Sequence, residues 1–295
     1  MKSILFLVAA GFAMSAAVIP ETDRAKIDEL TAVKGSYTAT EDVYRVTFPR
    51  TDVKVTVEGR PMHPFLGLTS WAAFTSSNHS SDLMVMRDLV LFEDEVNPAI
   101  SAALDNGLEV TALHNHFFYE SPRVMFLHIS GSGSAAKLAT AVKKTLDAVK
   151  QVRDARPAMP SKFAGPVIPE TNSIAKGPID RILGTKGQVN AGMYKATIGR
   201  PATMHGSRIG TQMGVNTWAA FAGSDDAAVV DGDFAMTAAE IQPVLKALRK
   251  ADIQIVAIHN HMTHEEPQYI FLHYWGKGPA ESLAKALRSA MNTQR

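Results

Sequence analysis

The sequence contains one module twice, and this duplication limits the folds that the chain can adopt. The stretch LHNHFFYESPRVMFLH at 113–128 and the stretch IHNHMTHEEPQYIFLH at 258–273 share the spacing of three histidines and one glutamate. VIPET and WAAF also occur twice, and the copies of every pair lie about 145 to 150 residues apart. This period is typical of two homologous domains or half-domains, whereas solenoids repeat about every 20 to 50 residues.

The duplication divides the chain into segments. The N-terminal stretch MKSILFLVAAGFAMSAAV combines one positive charge, an apolar run and small residues, which predicts a secretory signal peptide over 1–17. We then expect a first module at 18–153, a linker rich in proline and small residues at 154–166, and a second module at 167–295. Each module is long enough to fold alone, and the two could equally share one continuous sheet.

The composition limits where the protein is expected to be located and what it is expected to bind. With its signal peptide removed, the chain is expected to be soluble in the periplasm or outside the cell, because no segment is long and apolar enough to span a membrane. The sequence has no cysteine, so any metal must be bound through nitrogen and oxygen atoms. A formal net charge of +1 without a basic run argues against nucleic acid as a partner.

Strand and helix signals alternate within each module. Runs such as VYRVTF and SWAAFTS are rich in β-branched and aromatic residues, which is typical of strands. EDEVNPAISAALDNG has apolar residues at helical spacing, and Thr237 and Glu240 form a capping box at the start of the corresponding helix. A hairpin with the histidines and a closing helix follow. We therefore predict an α+β fold of two homologous modules, each a largely antiparallel sheet with two helices.

The repeated histidines can share one face of that sheet. His114 and His116 are two residues apart on a predicted strand, so their side chains point the same way. In a tight hairpin His128 opposes Ala112 and lies within diagonal reach of His114, whereas a longer loop or a bulge would place it opposite His114 itself. One metal site per module is therefore predicted. Its ligands are His114, His116, Glu120 and His128 in the first module, and His259, His261, Glu265 and His273 in the second.

This set of ligands is typical of a divalent transition metal. Zinc is the first choice because it accepts three nitrogen ligands and one oxygen ligand, and copper, manganese and iron are also compatible. A cluster of histidines without an ion is the structural alternative. The residues between the ligands differ between the modules while the ligands do not, which favours a shared role for the ligands.

Three functions are compatible with such a site. The leading hypothesis is an exported metal-binding protein whose partner is the metal ion itself. The second is a hydrolase-type enzyme, acting on a small-molecule or envelope substrate, in which Glu120 or Glu265 is the general base for metal-bound water. The third is a ligand-binding or interaction module that uses no metal. The sequence does not decide whether the protein is an enzyme.

Other polar residues near the predicted sites have simpler interpretations. Asp88 and Asp233 occupy matching positions in the two modules. They could orient the metal ligands or donate charge to the site, but we interpret them as turn residues. His264 and Glu266 occur only in the second module. They could add ligands to the second metal site, but we interpret them as solvated turn residues.

A family resemblance rests on the longest of these motifs. DLVLFEDEVNPAISAALDNGLEVTALHNHFFYESPRVMFLH, with GLTSWAAF before it, resembles the LppY/LpqO family of exported bacterial proteins. The resemblance covers nearly the whole mature chain and implies export and the duplicated layout, but it implies no activity. Named members of the family are lipoproteins, whereas this chain lacks the cysteine that would carry the lipid. We therefore expect a released protein.

Overall fold

The computed structural model describes residues 18–77 and 82–294, and the predicted signal peptide at 1–17 lies outside them. The elements of the first module are α1 (Glu21–Thr31), β1 (Ser36–Thr38), β2 (Val43–Pro49), β3 (Thr56–Val57), β4 (Arg60–Pro61), β5 (Thr69–Ser76), β6 (Leu83–Phe92), α2 (Glu93–Asp105), β7 (Glu109–His114), β8 (Glu120–Ser121), β9 (Val124–Gly133) and α3 (Ala135–Ala155). Those of the second module are α4 (Lys176–Leu183), β10 (Gln188–Asn190), β11 (Met193–Gly199), β12 (Ala202–Met204), β13 (Ser207–Ile209), β14 (Asn216–Gly223), β15 (Ala228–Met236), α5 (Ile241–Lys250), β16 (Gln254–His259), β17 (Glu265–Glu266), β18 (Ile270–Gly278) and α6 (Ala280–Met291).

Twelve of these strands form one continuous antiparallel sheet in the order β1-β2-β5-β6-β9-β7-β16-β18-β15-β14-β11-β10. The two central strands, β7 and β16, come from different modules, and each strand on one side has its repeated counterpart at the same place on the other. The predicted α+β fold of two homologous modules is therefore confirmed. The structure also decides a question that the sequence left open, because the modules share one sheet.

Each module adds a small three-stranded sheet to this large one. The orders are β4-β3-β8 in the first module and β13-β12-β17 in the second. In both small sheets one edge strand, β8 or β17, lies in the segment between the second and third repeated histidines. The small sheets therefore anchor the loops that carry the predicted ligands.

The helices cover one face of the large sheet. Burial alternates along β5, where Ala72 and Phe74 are buried while Trp71 and Ala73 are partly exposed. The buried side chains join apolar residues of the helices, such as Ile100 and Val142, in the main core. The opposite side of the sheet, which we call the open face, carries the partly exposed residues.

Each module has the two predicted helices and a further helix at its start, α1 or α4. Only two residues of each further helix are buried, Ile27 and Thr31 in α1 and Ile179 and Leu183 in α4. One buried residue per turn gives too weak a periodic pattern to separate a short helix from a loop. This explains why the sequence did not reveal them.

A buried ion pair stabilises the start of the second helix in each module. Arg50 donates two hydrogen bonds to Glu95, at 2.8 and 3.0 Å, and Arg200 donates two to Glu240, at 2.6 and 3.0 Å. Glu240 also accepts the main-chain N–H of Thr237 at 2.8 Å, so the predicted capping box is confirmed. The Arg50–Glu95 pair and the Arg200–Glu240 pair occupy equivalent positions, so both modules have kept this ion pair.

Side-chain amides complete the junction between the modules. β7 and β16 pair through Leu113 and Ile258, and each strand has a β-bulge shortly before this pair. Asn97 of α2 donates to the Ile255 carbonyl at 3.1 Å and accepts the Ile255 N–H at 2.7 Å. Gln242, at the matching position of α5, makes the same two bonds to Val110 at 2.8 and 3.0 Å. A side chain of each helix therefore bonds to the main-chain N–H and carbonyl of a residue at the bulge of the other module's strand.

Between α3 and α4 the chain runs irregularly over 156–175, with one parallel bridge between Ser173 and Ser224. Within the described residues, none of the helices has both the length and the apolar character that crossing a membrane requires.

The junction yields a test by substitution. Asn97→Ala leaves the buried N–H and carbonyl of Ile255 without their partners, so the free energy of unfolding should fall by about 2–4 kcal/mol. Asn106→Ala is the matched control, because the Asn106 side chain bonds only to Ala102 of its own helix, and it should cost less than about 1 kcal/mol. Urea unfolding measures both values, and equal stability of the two variants would contradict the bridging role of Asn97.

Candidate metal centre

The hairpin brings the repeated histidines onto the open face, but β7 ends at His114 and β16 ends at His259, so the prediction that His116 and His261 lie on these strands is wrong. His128 pairs with Ala112 and His114 pairs with Phe126, which confirms the predicted register of the hairpin. The second module repeats it, with His273 opposite Ala257 and His259 opposite Phe271. His114 and His259 each follow the pair that joins the modules, so the two histidine sets lie side by side across the junction.

A buried aspartate joins the histidines of the second module. Asp233 of β15 pairs with His273 across the sheet and is only 1% exposed. Its Oδ2 lies 3.2 Å from Nε2 of His261 and 4.0 Å from Nε2 of His273. Ligand atoms of Asp233, His259 and His261 all lie within 4.8 Å of one another. Three imidazoles and one carboxylate therefore meet in a single cluster.

The first module has the same four residue types at the equivalent places. The Nε2 atoms of His114 and His128 are 3.0 Å apart, and the ring centroids of His114 and His116 are 5.1 Å apart. Asp88 pairs with His128 across the sheet, and its buried Oδ1 has no hydrogen-bond partner among the described residues. A buried carboxylate oxygen without a donor is costly, and a cation bound at this place would offset that cost.

Main-chain carbonyl groups fix the orientation of four imidazoles. A carbonyl oxygen only accepts, so a ring Nδ1 that faces it carries the hydrogen and leaves the lone pair on Nε2. The Nδ1 contacts are His114 to Asn115 at 3.2 Å, His259 to Asn260 at 3.3 Å, His261 to Gly214 at 3.3 Å and His273 to Gly232 at 3.1 Å. Metal-bound histidines are oriented in the same way in proteins.

Stacking on a phenylalanine holds the middle histidine of each set. The ring of His116 lies on Phe126 with centroids 3.3 Å apart and planes 6° apart. His261 lies on Phe271 with centroids 3.5 Å apart and planes 10° apart. Because these two histidines are the more exposed members of their sets, the stacking limits the rotation that their position would otherwise allow.

The charges in the cluster favour neutral imidazoles. Burial lowers the pKa of His116 and of His259, and neighbouring imidazoles lower both further. Burial raises the pKa of Asp233, while the charges of the three surrounding histidines act in the opposite direction. Neutral histidine is the protonation state that can bind a metal ion.

The two predicted glutamates lie beside these clusters. The side chain of Glu120 is 5% exposed, and its Oε1 is 3.9 Å from Nε of Arg123. Glu120 also lines a cleft of about 470 Å³, together with His114 and His259. Oε1 of Glu265 accepts the N–H of Tyr269 at 3.0 Å, while its buried Oε2 has no partner among the described residues. In the second module the histidines contact Asp233, and Glu265 lies outside this compact group.

The interpretation of Asp88 and Asp233 as turn residues is wrong. Both lie inside strands, β6 and β15, and face a histidine on the neighbouring strand. The sequence did contain a signal, because the two aspartates are 145 residues apart, as are the histidines of each pair. The matching positions did not reveal that each aspartate faces a histidine, because that histidine lies forty residues further along the chain.

Comparison with protein families assigns the chain. A family model described as Domain of Unknown Function (DUF1259) matches residues 25–148 and 177–293, once in each module. The chain belongs to this family. Both matched ranges include the whole histidine hairpin and the paired aspartate of their module, so the clusters lie within the part of the chain that defines the family.

Comparison with solved structures gives only distant likenesses. A trimeric bacterial microcompartment shell protein, PduB, has 12% identity and a TM-score of 0.19, over 88% of this chain and 89% of that chain. EtuB from Clostridium kluyveri has 12% identity and a TM-score of 0.23 over the same shares. The double ringed trimeric shell protein MSM0271 of the RMM microcompartment has 9% identity and a TM-score of 0.20, over 74% and 84%. No curated protein matches the chain.

The lowered pKa values of His116 and His259 predict how stability depends on pH. Between the folded-state pKa and the ordinary value of about 6.5, the unfolded chain binds more protons than the folded chain does. The free energy of unfolding of the metal-free protein should therefore fall as the pH drops from about 7.5 to about 5.5. His116→Gln should make this fall shallower. A flat profile in urea unfolding with chelator present would contradict the prediction.

Proposed function

We propose that this protein is an exported metal-binding protein that holds one divalent transition-metal ion in each module. The ligands are the three repeated histidines of the module together with Asp88 or Asp233, and zinc is the first candidate. The observation that carries the proposal is the contact of the buried Asp233 carboxylate with the Nε2 atoms of His261 and His273. Export is proposed from the N-terminal sequence and from the resemblance to the LppY/LpqO family.

The spacing of the donor atoms supports a zinc-sized ion. Two Zn–ligand bonds of about 2.0–2.1 Å at a tetrahedral angle place the two ligand atoms about 3.3 Å apart. The Nε2 atoms of His114 and His128 are 3.0 Å apart, and Asp233 Oδ2 is 3.2 Å from His261 Nε2. The ligand atoms therefore need only small shifts to surround an ion.

Electrostatics also favours an ion over an empty cluster. His114 has the lone pair of its Nε2 directed at the Nε2 of His128, and Asp233 is almost wholly buried. Without an ion, a proton must lie between the two ring nitrogens, and the buried carboxylate carries a desolvation cost. In the first module a divalent cation would bind both ring nitrogens, and in the second module an equivalent cation would balance the charge of Asp233 while its histidines stay neutral.

Metal analysis of the purified protein tests this proposal. We expect about two equivalents of a transition metal per chain, most readily zinc, and about one in Asp233→Asn, which weakens one of the two sites. Asp231→Asn is the matched control, because Asp231 lies two residues away on the same strand and pairs with Trp275 instead of a histidine. It should retain both equivalents.

The outcome that would overturn the proposal is specific. Less than about a tenth of an equivalent of any transition metal, together with no uptake by chelator-treated protein, would exclude these sites as metal centres. The melting temperature gives a second readout, since an ion that binds only the folded chain must raise it.

A hydrolase-type activity is the second candidate, and the cleft at the junction is the observation that favours it. Glu120 lines this cleft together with His114 of its own module and His259 of the other. A carboxylate in this position could take a proton from a water molecule bound to the metal, provided that one coordination position stays open to the cleft. Small substrates outside the cytoplasm would have access to this cleft.

Glutamine substitutions separate the roles of the glutamates. If Glu120 is the general base, Glu120→Gln should keep the metal content and lower the hydrolysis of p-nitrophenyl acetate by the zinc-loaded protein about 100-fold or more. Glu265→Gln is the control, because Glu265 is held by the Tyr269 amide. Loss of the metal from Glu120→Gln, or unchanged hydrolysis, would exclude the general-base role.

A further inference from the structure

A second pair of histidines lies outside the two clusters, in the small sheet of the second module. His205 begins the two-residue turn between β12 and β13, and His264 immediately precedes β17. Their ring centroids are 5.6 Å apart and their planes are tilted by 51°. The corresponding separations inside the metal centre are 5.1 Å for His259 and His261 and 4.9 Å for His259 and His273. The second pair is thus spaced nearly as closely as the predicted ligands.

The strand register places a carboxylate on the same face as this pair. Thr203 pairs with Glu266 and Met204 pairs with Glu265, and one step further along the same register His205 opposes His264. Side chains alternate along β17, so Glu265 and Glu266 lie on opposite faces. Continuing that alternation by one residue places His264, whose ring lies next to that of His205, on the side of Glu266. Burial agrees with this assignment, since Glu265 is buried while His205, His264 and Glu266 are exposed.

The first module keeps the backbone of this region without its ligands. Glu58 occupies the position of His205, and both residues have φ of 51° in the turn. Tyr119 and Ser121 stand where the second module has His264 and Glu266. The turn and the strand pairing therefore do not require histidine, and the two imidazoles and the carboxylate are specific to the second module.

We propose that His205, His264 and Glu266 form a third site for a divalent transition-metal ion, such as zinc or copper(II). Two imidazoles at the adjacent ends of β12 and β17 form a chelate, and Glu266 supplies an oxygen ligand. The bound ion links the β12–β13 turn to β17, and solvent completes its coordination because the three side chains are exposed. The site uses none of the residues of the two main centres and does not depend on the proposed function.

Exchange of residues between the modules tests the third site in both directions. In the chelator-treated full chain, His205→Glu combined with His264→Tyr gives the second module the residues of the first. Calorimetric titration with zinc should show one binding site fewer than in the unchanged protein, with the weakest class of sites lost. Because Glu58 and Tyr119 already occupy the same backbone positions, these substitutions should leave the circular dichroism spectrum and the melting temperature of the metal-free protein unchanged.

The reverse exchange is the stronger test. Glu58→His, Tyr119→His and Ser121→Glu together should create an additional zinc site in the first module. Equal stoichiometry in the unchanged protein and in the double variant would overturn the third site, as would imidazole NMR signals of His205 and His264 that do not respond to zinc. If the double variant binds no zinc while the unchanged protein binds one equivalent, the third site stands and the two main centres fail.

Discussion

The reciprocal bridges of Asn97 and Gln242 are the interaction on which the rest of the molecule depends. At the junction of the modules, β-bulges interrupt the ladders of β7 and β16 and leave main-chain groups of Val110 and Ile255 facing the helices. Each of these groups is bonded to a side-chain amide from the helix of the other module. Since buried peptide groups need partners, the two half-sheets can join here only while both helices are in place.

This junction also determines the position of the histidine clusters. It places Leu113 opposite Ile258 on the helix-covered face, so the next residues, His114 and His259, lie on the open face. The two clusters consequently face solvent side by side, with a cleft between them, instead of lying in two separate domains. The same arrangement thus buries Leu113 and Ile258 in the core on one side of the sheet and places His114 and His259 on the other side.

The two modules have diverged in their turns and not in their sheets. The strands keep the aspartate and two of the three histidines of each set in register. The helix starts keep the buried pairs of Arg50 with Glu95 and Arg200 with Glu240. The turns differ, because the first module has exposed aromatic side chains at Phe118 and Tyr119 where the second has Thr263 and His264. Strand positions are constrained by pairing on both sides, whereas turn side chains can change without disturbing the ladder.

Sequence reasoning succeeded where the interactions are local along the chain. The register of His128 against Ala112 follows from a hairpin of known length, and the capping box of Thr237 and Glu240 spans a single turn of helix. It failed for Asp88 and Asp233, because their strands pair with β9 and β18, which are separated from them in sequence by a helix and two other strands. The helices α1 and α4 were also missed, since each buries only two residues.

The sequence by itself therefore determined the duplication, the α+β class and the three histidines of each cluster, because repetition and residue spacing are visible along the chain. Only the tertiary structure decided that the modules share one sheet, that aspartates complete the histidine clusters and that His205 opposes His264. The physical reason is that these features depend on which distant strands become neighbours. That choice is made by main-chain hydrogen bonds at the junction and by burial of the helix faces, and neither is local in the chain.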